Sequence, residues 1–405
     1  MKRLPVIAAM TVAMSMGAAS AAKITVWTHF GDQERGWMQQ AAAAFGNTAA
    51  GRGHTFEFVN VDFGQLKQKM ILSAPKGEGP DMIVSLPQDQ LGELVAAGVL
   101  EPLDRYMNAT QKAQFAKSGI EAMTYKGRLF GIPLFGEAVA VVYNKKLLPN
   151  GVPTTWDAFV KTAQGLTKPE QGQFGFLANI ENQYHMHGAY GAYGAYVFKN
   201  TGGTYNVKDV GLANNGANLA GQLINDLRFK HKLIPEGMHD DNAAQSAFLA
   251  GKVAMWQTGP WSLGVIRDAK MDFGVGIMPR PAGATNPWRP FVGIQGIMVN
   301  SYSKNKQVAV DFAKFVTSAE NQVAYYRAGG RIPVNLQASK LLANDPVVVG
   351  FGKAIANGLP MPNVAEMGQV WGPWGNAVSL IAKDAKADIK ALNAAAVREI
   401  ASNIK

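Results

Sequence analysis

Runs suited to strands alternate with stripes suited to helices along the first hundred residues, and this alternation limits the fold more than any other feature. Ile24-Thr25-Val26-Trp27 is a short β-branched run, and from Trp37 the apolar positions Ala41, Ala44 and Phe45 recur at helical spacing. Phe56 to Val61 predicts a second strand, and Leu66, Met70, Ile71 and Ala74 mark one face of a second helix. Met82-Ile83-Val84 reads as a short buried strand before a helix carrying Leu91, Leu94 and Val95. Such alternation implies βαβ units and a mostly parallel sheet.

A second α/β run begins past Gly131-Ile132-Pro133, with Ala138 to Tyr143 as an apolar strand. Thr154-Thr155-Trp156-Asp157 has the form of a helix cap, with Trp156, Phe159, Val160 and Ala163 on the helix behind it. Leu219, Ala220, Leu223, Ile224 and Leu227 form another helical stripe, and Val253 to Gln257 another strand. Gly259-Pro260-Trp261 opens a helix, 280–287 reads as an exposed loop, Ile294 to Asn300 as a strand, and the tail from Ala377 as helical. A chain of 405 residues exceeds one compact core, so two α/β lobes are expected. The segment 188–196 repeats a Gly-Ala-Tyr pattern to which the sequence assigns no role.

The first residues read as an export signal. Lys2 and Arg3 precede an apolar run from Leu4 to Ala19, and Ala19-Ser20-Ala21 fits a cleavage site, with cleavage after Ala22 nearly as suitable. The run is shorter than the roughly 20 residues that span a bilayer. Cysteine is absent, which excludes disulfides, thiolate metal sites, a Cys nucleophile and a lipid-bearing N-terminal Cys. An exported chain without an anchor points to the periplasm. The net charge is +10, but the cations are scattered; the densest group, 228–232, sits at a helix end where it complements the dipole, so nucleic acid is not expected as a partner.

The motif order resembles one family. Tyr143-Asn144-Lys145-Lys146-Leu147-Leu148-Pro149, Thr155-Trp156-Asp157, Asp209-Val210-Gly211, Gly259-Pro260-Trp261, Pro290-Phe291-Val292-Gly293 and Met361-Pro362-Asn363 together look like the maltose- and maltodextrin-binding proteins of ABC importers. The resemblance runs from about Lys23 to the C-terminus. It implies an α/β, two-lobed periplasmic-binding-protein fold with discontinuous lobes. Residues 23–134 and 297–343 would form one lobe, 138–290 and 347–405 the other, with hinge crossings at 135–137, 291–296 and 344–346. It also implies a monomer that delivers maltose or maltodextrin to a membrane permease, with no cofactor and no metal.

A sugar offers apolar C–H faces and a rim of hydroxyls, so its site needs flat rings together with carboxylates, amides and Arg. Carried over by resemblance, the binding residues are Asp32, Asp89, Glu137, Glu181, Tyr184, Trp261 and Trp371, with Trp374 and Arg331 added. Asp32 and Asp89 have an alternative as helix N-caps, and Trp261 as core packing at a helix start. Some family positions differ: a stacking tryptophan aligns with Ser85, one basic residue with Gln90, another with Gln33 or Glu34, and an arginine near Gly375. Trp256, Trp288, Trp374 and Arg331 are the candidates to compensate. These departures leave trehalose or another glucoside open. A glycosidase using Asp89 and Glu137, and a ferric-ion receptor using Tyr325-Tyr326, are the rivals. His185 and His187 alternate without a third ligand at metal spacing.

Overall fold

The computed structural model describes residues 21–404, so the expected export signal lies outside the described residues except for its last two positions. Two sheets organise the chain. Across the seven-stranded sheet run Ile332–Pro333, Gly131–Glu137, Phe291–Val299, Met82–Pro87, Lys23–Thr28 and Thr55–Asn60, with Leu359–Pro360 paired to one end of Phe291–Val299. The four-stranded sheet runs Phe273–Gly276, Ala140–Asn144, Val253–Thr258, Phe174–Leu177.

Lys23–Thr28 pairs in parallel with Thr55–Asn60 and Met82–Pro87, as the alternation of strands and helices leads one to expect. The sheets are mixed, however, and not mostly parallel. Phe291–Val299 is antiparallel to Met82–Pro87 and to Gly131–Glu137, and Val253–Thr258 is antiparallel to Ala140–Asn144. The cause is connectivity. A strand arriving from the other lobe is not bound to the crossover that makes consecutive βαβ strands parallel, and local periodicity does not report that route.

Each lobe has its own core, and the chain passes between them inside regular structure. All nine residues of Phe291–Val299 are buried. Phe291 belongs to the core of the second lobe, whereas Val292 and Ile294 pack in the first. Helix Ala319–Gly329 faces both ways: Tyr325 stacks on Trp37 in the first core at 4.3 Å, while Tyr326 enters a third cluster with Ala140 and Trp256 of the second sheet. Val323, Ala338 and Leu342 join that cluster, so part of the segment 297–343 packs against the second lobe as well as the first.

The Gly-Ala-Tyr pattern has a packing explanation. It begins in the second half of helix Gln183–Ala192, which starts with Asn182 accepting hydrogen bonds from the backbone N–H groups of Tyr184 and His185 at 2.9 and 3.3 Å. Tyr190 is buried edge-on against Trp374 at 5.2 Å. Gly188 lies directly beneath Trp288, where a Cβ would stand 1.9 Å from the indole Nε1, and a Cβ on Gly191 would meet the Cβ of Arg289 at 2.8 Å. Glycine therefore lets the loop before Phe291 lie flat on the helix. Gly188→Ala should force that loop outward and lower stability by about 1–3 kcal/mol, the usual cost of overpacking; chemical denaturation of the two proteins measures it.

Candidate binding site

A cavity of about 530 Å³ lies between the lobes, a size typical of small-molecule sites, which span roughly 300–1,000 Å³. The first lobe contributes Phe63, Lys67, Asp89 and Gln90; the second contributes Tyr184, His185, Trp261 and Trp371. Glu137 and Gln295 line it from the two strands on which the chain crosses.

Asp89 follows strand Met82–Pro87 on a single tight helical turn, the end of a strand where α/β sheets present ligands. Its Oδ2 accepts a hydrogen bond from Trp371 Nε1 at 3.0 Å, and its Oδ1 has no protein partner. That bond joins the two lobes. Burial pushes the Asp89 carboxyl from 3.8 up to about 7, against the opposing effects of the Trp371 hydrogen bond and the Lys67 charge. The preceding residue, Gln88, ties the same turn to the crossing. Its Nε2 donates to the Val292 carbonyl at 2.9 Å and its Oε1 accepts from Ile294 N at 2.6 Å, one on each side of Gly293.

Glu137 is buried with both oxygens engaged. Gln295 Nε2 donates to Oε1 at 2.8 Å and Arg331 Nη1 to Oε2 at 3.0 Å. Burial raises its pKa, and the adjacent Arg331 charge works against that rise. The Arg331 guanidinium also meets Glu34 at 2.6 Å and lies 4.7 Å from the centre of the Phe135 ring.

The second lobe supplies the flat surfaces. Tyr184 and Trp261 rings lie 6.2 Å apart, and His185 meets Trp261 edge-on at 6.0 Å. The phenol oxygen of Tyr184 and Nδ1 of His185 are buried without protein partners. Trp371 is backed by Trp374, nearly parallel at 6.2 Å. Gln183 Nε2 donates to the Trp371 carbonyl at 2.9 Å, and Gly375 makes room for that amide, since a Cβ there would stand 2.9 Å from it. The glycine that replaces an expected arginine thus has a local structural use.

Asp89, Glu137, Tyr184, Trp261 and Trp371 meet in the cavity. Four expected residues do not line it. Asp32 begins helix Asp32–Phe45 with its side chain 93% exposed and paired to Arg35. Glu181 sits in a separate basic cluster, bridging Lys383 at 2.8 Å, His239 at 3.1 Å and Arg228 at 3.5 Å. Its neighbour Asn182 faces the cavity instead. Trp374 is completely buried behind Trp371. Arg331 acts through Glu137, beneath the surface of the site. Trp256 and Trp288 are core residues, 1% and 3% exposed. Tyr325 donates to Glu34 at 3.0 Å and Tyr326 lies in the third cluster, so the tyrosine pair is divided between cores and away from the cavity. Phe63, Lys67, His185 and Gln295 line the site without having been singled out for it by residue pattern.

Two expectations follow. Because Asp89 moves from 3.8 unfolded to about 7 folded, its share of stability is full below about pH 4 and is lost as pH rises through the folded value. Asp89→Asn keeps an acceptor for Trp371 and removes that slope, so the variant should gain on the wild type toward pH 8. Melting curves of the ligand-free proteins between pH 4 and 8 decide it, and parallel curves would contradict it. Arg331→Met strands Glu137 as a buried carboxylate beside half-buried Glu34 and should cost about 3–5 kcal/mol in a denaturation experiment.

The chain matches the model for the bacterial extracellular solute-binding proteins over residues 40–348. It is 46% identical to a Thermus thermophilus maltotriose binding protein solved with maltotriose, with a TM-score of 0.89 covering 94% of this chain and all of that one. It is also 30% identical to a maltotriose-binding protein of Pyrococcus abyssi, covering 84% of this chain and 74% of the relative. A galactooligosaccharide-binding protein of Bacillus subtilis is 30% identical, over 79% of this chain and 76% of that one. With the family model spanning most of its length and the two-lobed architecture shared, the chain belongs to the bacterial extracellular solute-binding proteins.

Proposed function

We propose that this chain is the exported receptor of an ABC importer, that it holds maltose or a short maltodextrin between its lobes, and that it performs no chemistry on the sugar. The observation that carries this reading is the pairing of unsatisfied polar atoms with flat rings around one cavity. Asp89 Oδ1, the Tyr184 hydroxyl and His185 Nδ1 all lack protein partners, and buried polar groups without partners are costly. A ligand with several hydroxyls meets that need, while Trp261, Trp371 and Tyr184 suit its C–H faces.

Contacts on both lobes are required for a ligand to drive closure, because only contacts missing from the open state shift the balance. Asp89 from one lobe and Trp371 from the other meet that requirement. The relatives support the ligand class: among them are maltooligosaccharide-binding lipoproteins of ABC transporters in Streptococcus pneumoniae. This chain has no cysteine to carry a lipid, so we place it free in the periplasm, as a monomer, delivering sugar to a permease in the inner membrane. Hydrolysis is disfavoured because Glu137 has both oxygens committed to Gln295 and Arg331.

Calorimetry against maltose, maltotriose, trehalose and sucrose tests the assignment. Maltose or maltotriose should bind with an affinity of roughly micromolar, about −8 kcal/mol, and Trp371→Ala should weaken it more than about tenfold. If none of these sugars bound, or if maltotetraose were cut during incubation, the reading would fail.

A further inference from the structure

We infer that Phe63 is a specificity-determining residue, a rim platform that favours longer oligosaccharides over the disaccharide; this rests on the sugar-receptor reading. Among the described residues, the first lobe lends the cavity a single aromatic ring, Phe63, while Tyr184, Trp261 and Trp371 all come from the second. Phe63 opens helix Phe63–Ser73 and is 44% exposed where it lines the cavity. Lys67, one turn along the same helix, lines the cavity beside it and pairs with Glu93.

The ring is held from behind. His29 meets it edge-on at 4.9 Å, and His29 Nε2 lies 3.2 Å from the hydroxyl of Ser85. Ser85 is the position at which the resemblance expects a tryptophan, and it adopts a left-handed backbone with φ 67°. At the position where that ring is absent, a Ser–His pair stands behind the Phe63 ring. The floor groups Asp89 and His185 are nearly fully buried, each with one atom that lacks a protein partner. A short sugar satisfies those floor groups first, and the additional rings of a longer one extend toward the open face of Phe63. Covering that face removes apolar surface from water, a gain open only to ligands that reach it.

The test is calorimetry of the full chain with maltose, maltotriose and maltotetraose. Phe63→Ala should weaken the longest sugar roughly threefold to tenfold, the worth of one aromatic contact, and leave maltose nearly unchanged. Phe63→Leu, which keeps apolar bulk, should show a smaller length-dependent loss than Phe63→Ala, and Phe63→Tyr should restore the wild-type pattern. Equal weakening at every length, or no weakening, overturns the assignment while leaving the receptor reading intact. Failure of the wild type to bind any of the three sugars overturns both.

Discussion

Arg331 is buried with its guanidinium between Glu34 and Glu137, and much of the cleft depends on that arrangement. A charge taken out of water is tolerated only when it is paired and its hydrogen-bonding capacity is used. Here Glu34 comes from the first helix, Glu137 from the end of the strand that leaves the first lobe, and Arg331 itself from the turn before strand Ile332–Pro333. Gln295, on the second crossing strand, holds the other oxygen of Glu137. One ionic group thereby joins the two crossing strands at Glu137 and Gln295, and it fixes a cavity-lining carboxylate that burial alone would leave poorly held.

Around that anchor the lobes divide the work. The first presents Asp89 on a turn pinned by Gln88 to the crossing strand. The second presents rings, of which Trp371 is held twice, by buried Trp374 behind it and by Gln183 on its backbone. Helix Gln183–Ala192 carries several of these groups, and its glycines let the loop that leads into Phe291–Val299 settle against it. The packing that builds the second core therefore also sets where Tyr184 and His185 stand.

Much of this was legible in the sequence. The strands at Ile24–Trp27 and Met82–Val84 and the cap at Thr155 announce themselves through β-branched runs and helical stripes, because burial imposes those periods locally; Thr155 indeed accepts a hydrogen bond from Ala158 N at 3.4 Å. Trp374 shows the limit. The sequence adds it beside Trp371 as a ring that compensates for a lost one, yet three residues along helix Trp371–Lys383 bring it into the core with no exposure at all. Glu181 fails in a related way, since its neighbour Asn182 is the residue turned toward the cavity, and one position decides which side of the chain a group faces. Strand direction was hidden because it depends on a return from the other lobe. Phe63 and Gln295 carry no local pattern; only the assembled cavity reveals them.

The hydrogen bond from Trp371 to Asp89 spans the cleft, and this changes what capture means energetically. A guest that needs either group enters by exchange, replacing one existing contact with its own. Part of its intrinsic attraction is consumed in that substitution, so the apparent affinity understates how well the walls fit the guest. The same contact favours the closed arrangement of the two lobes.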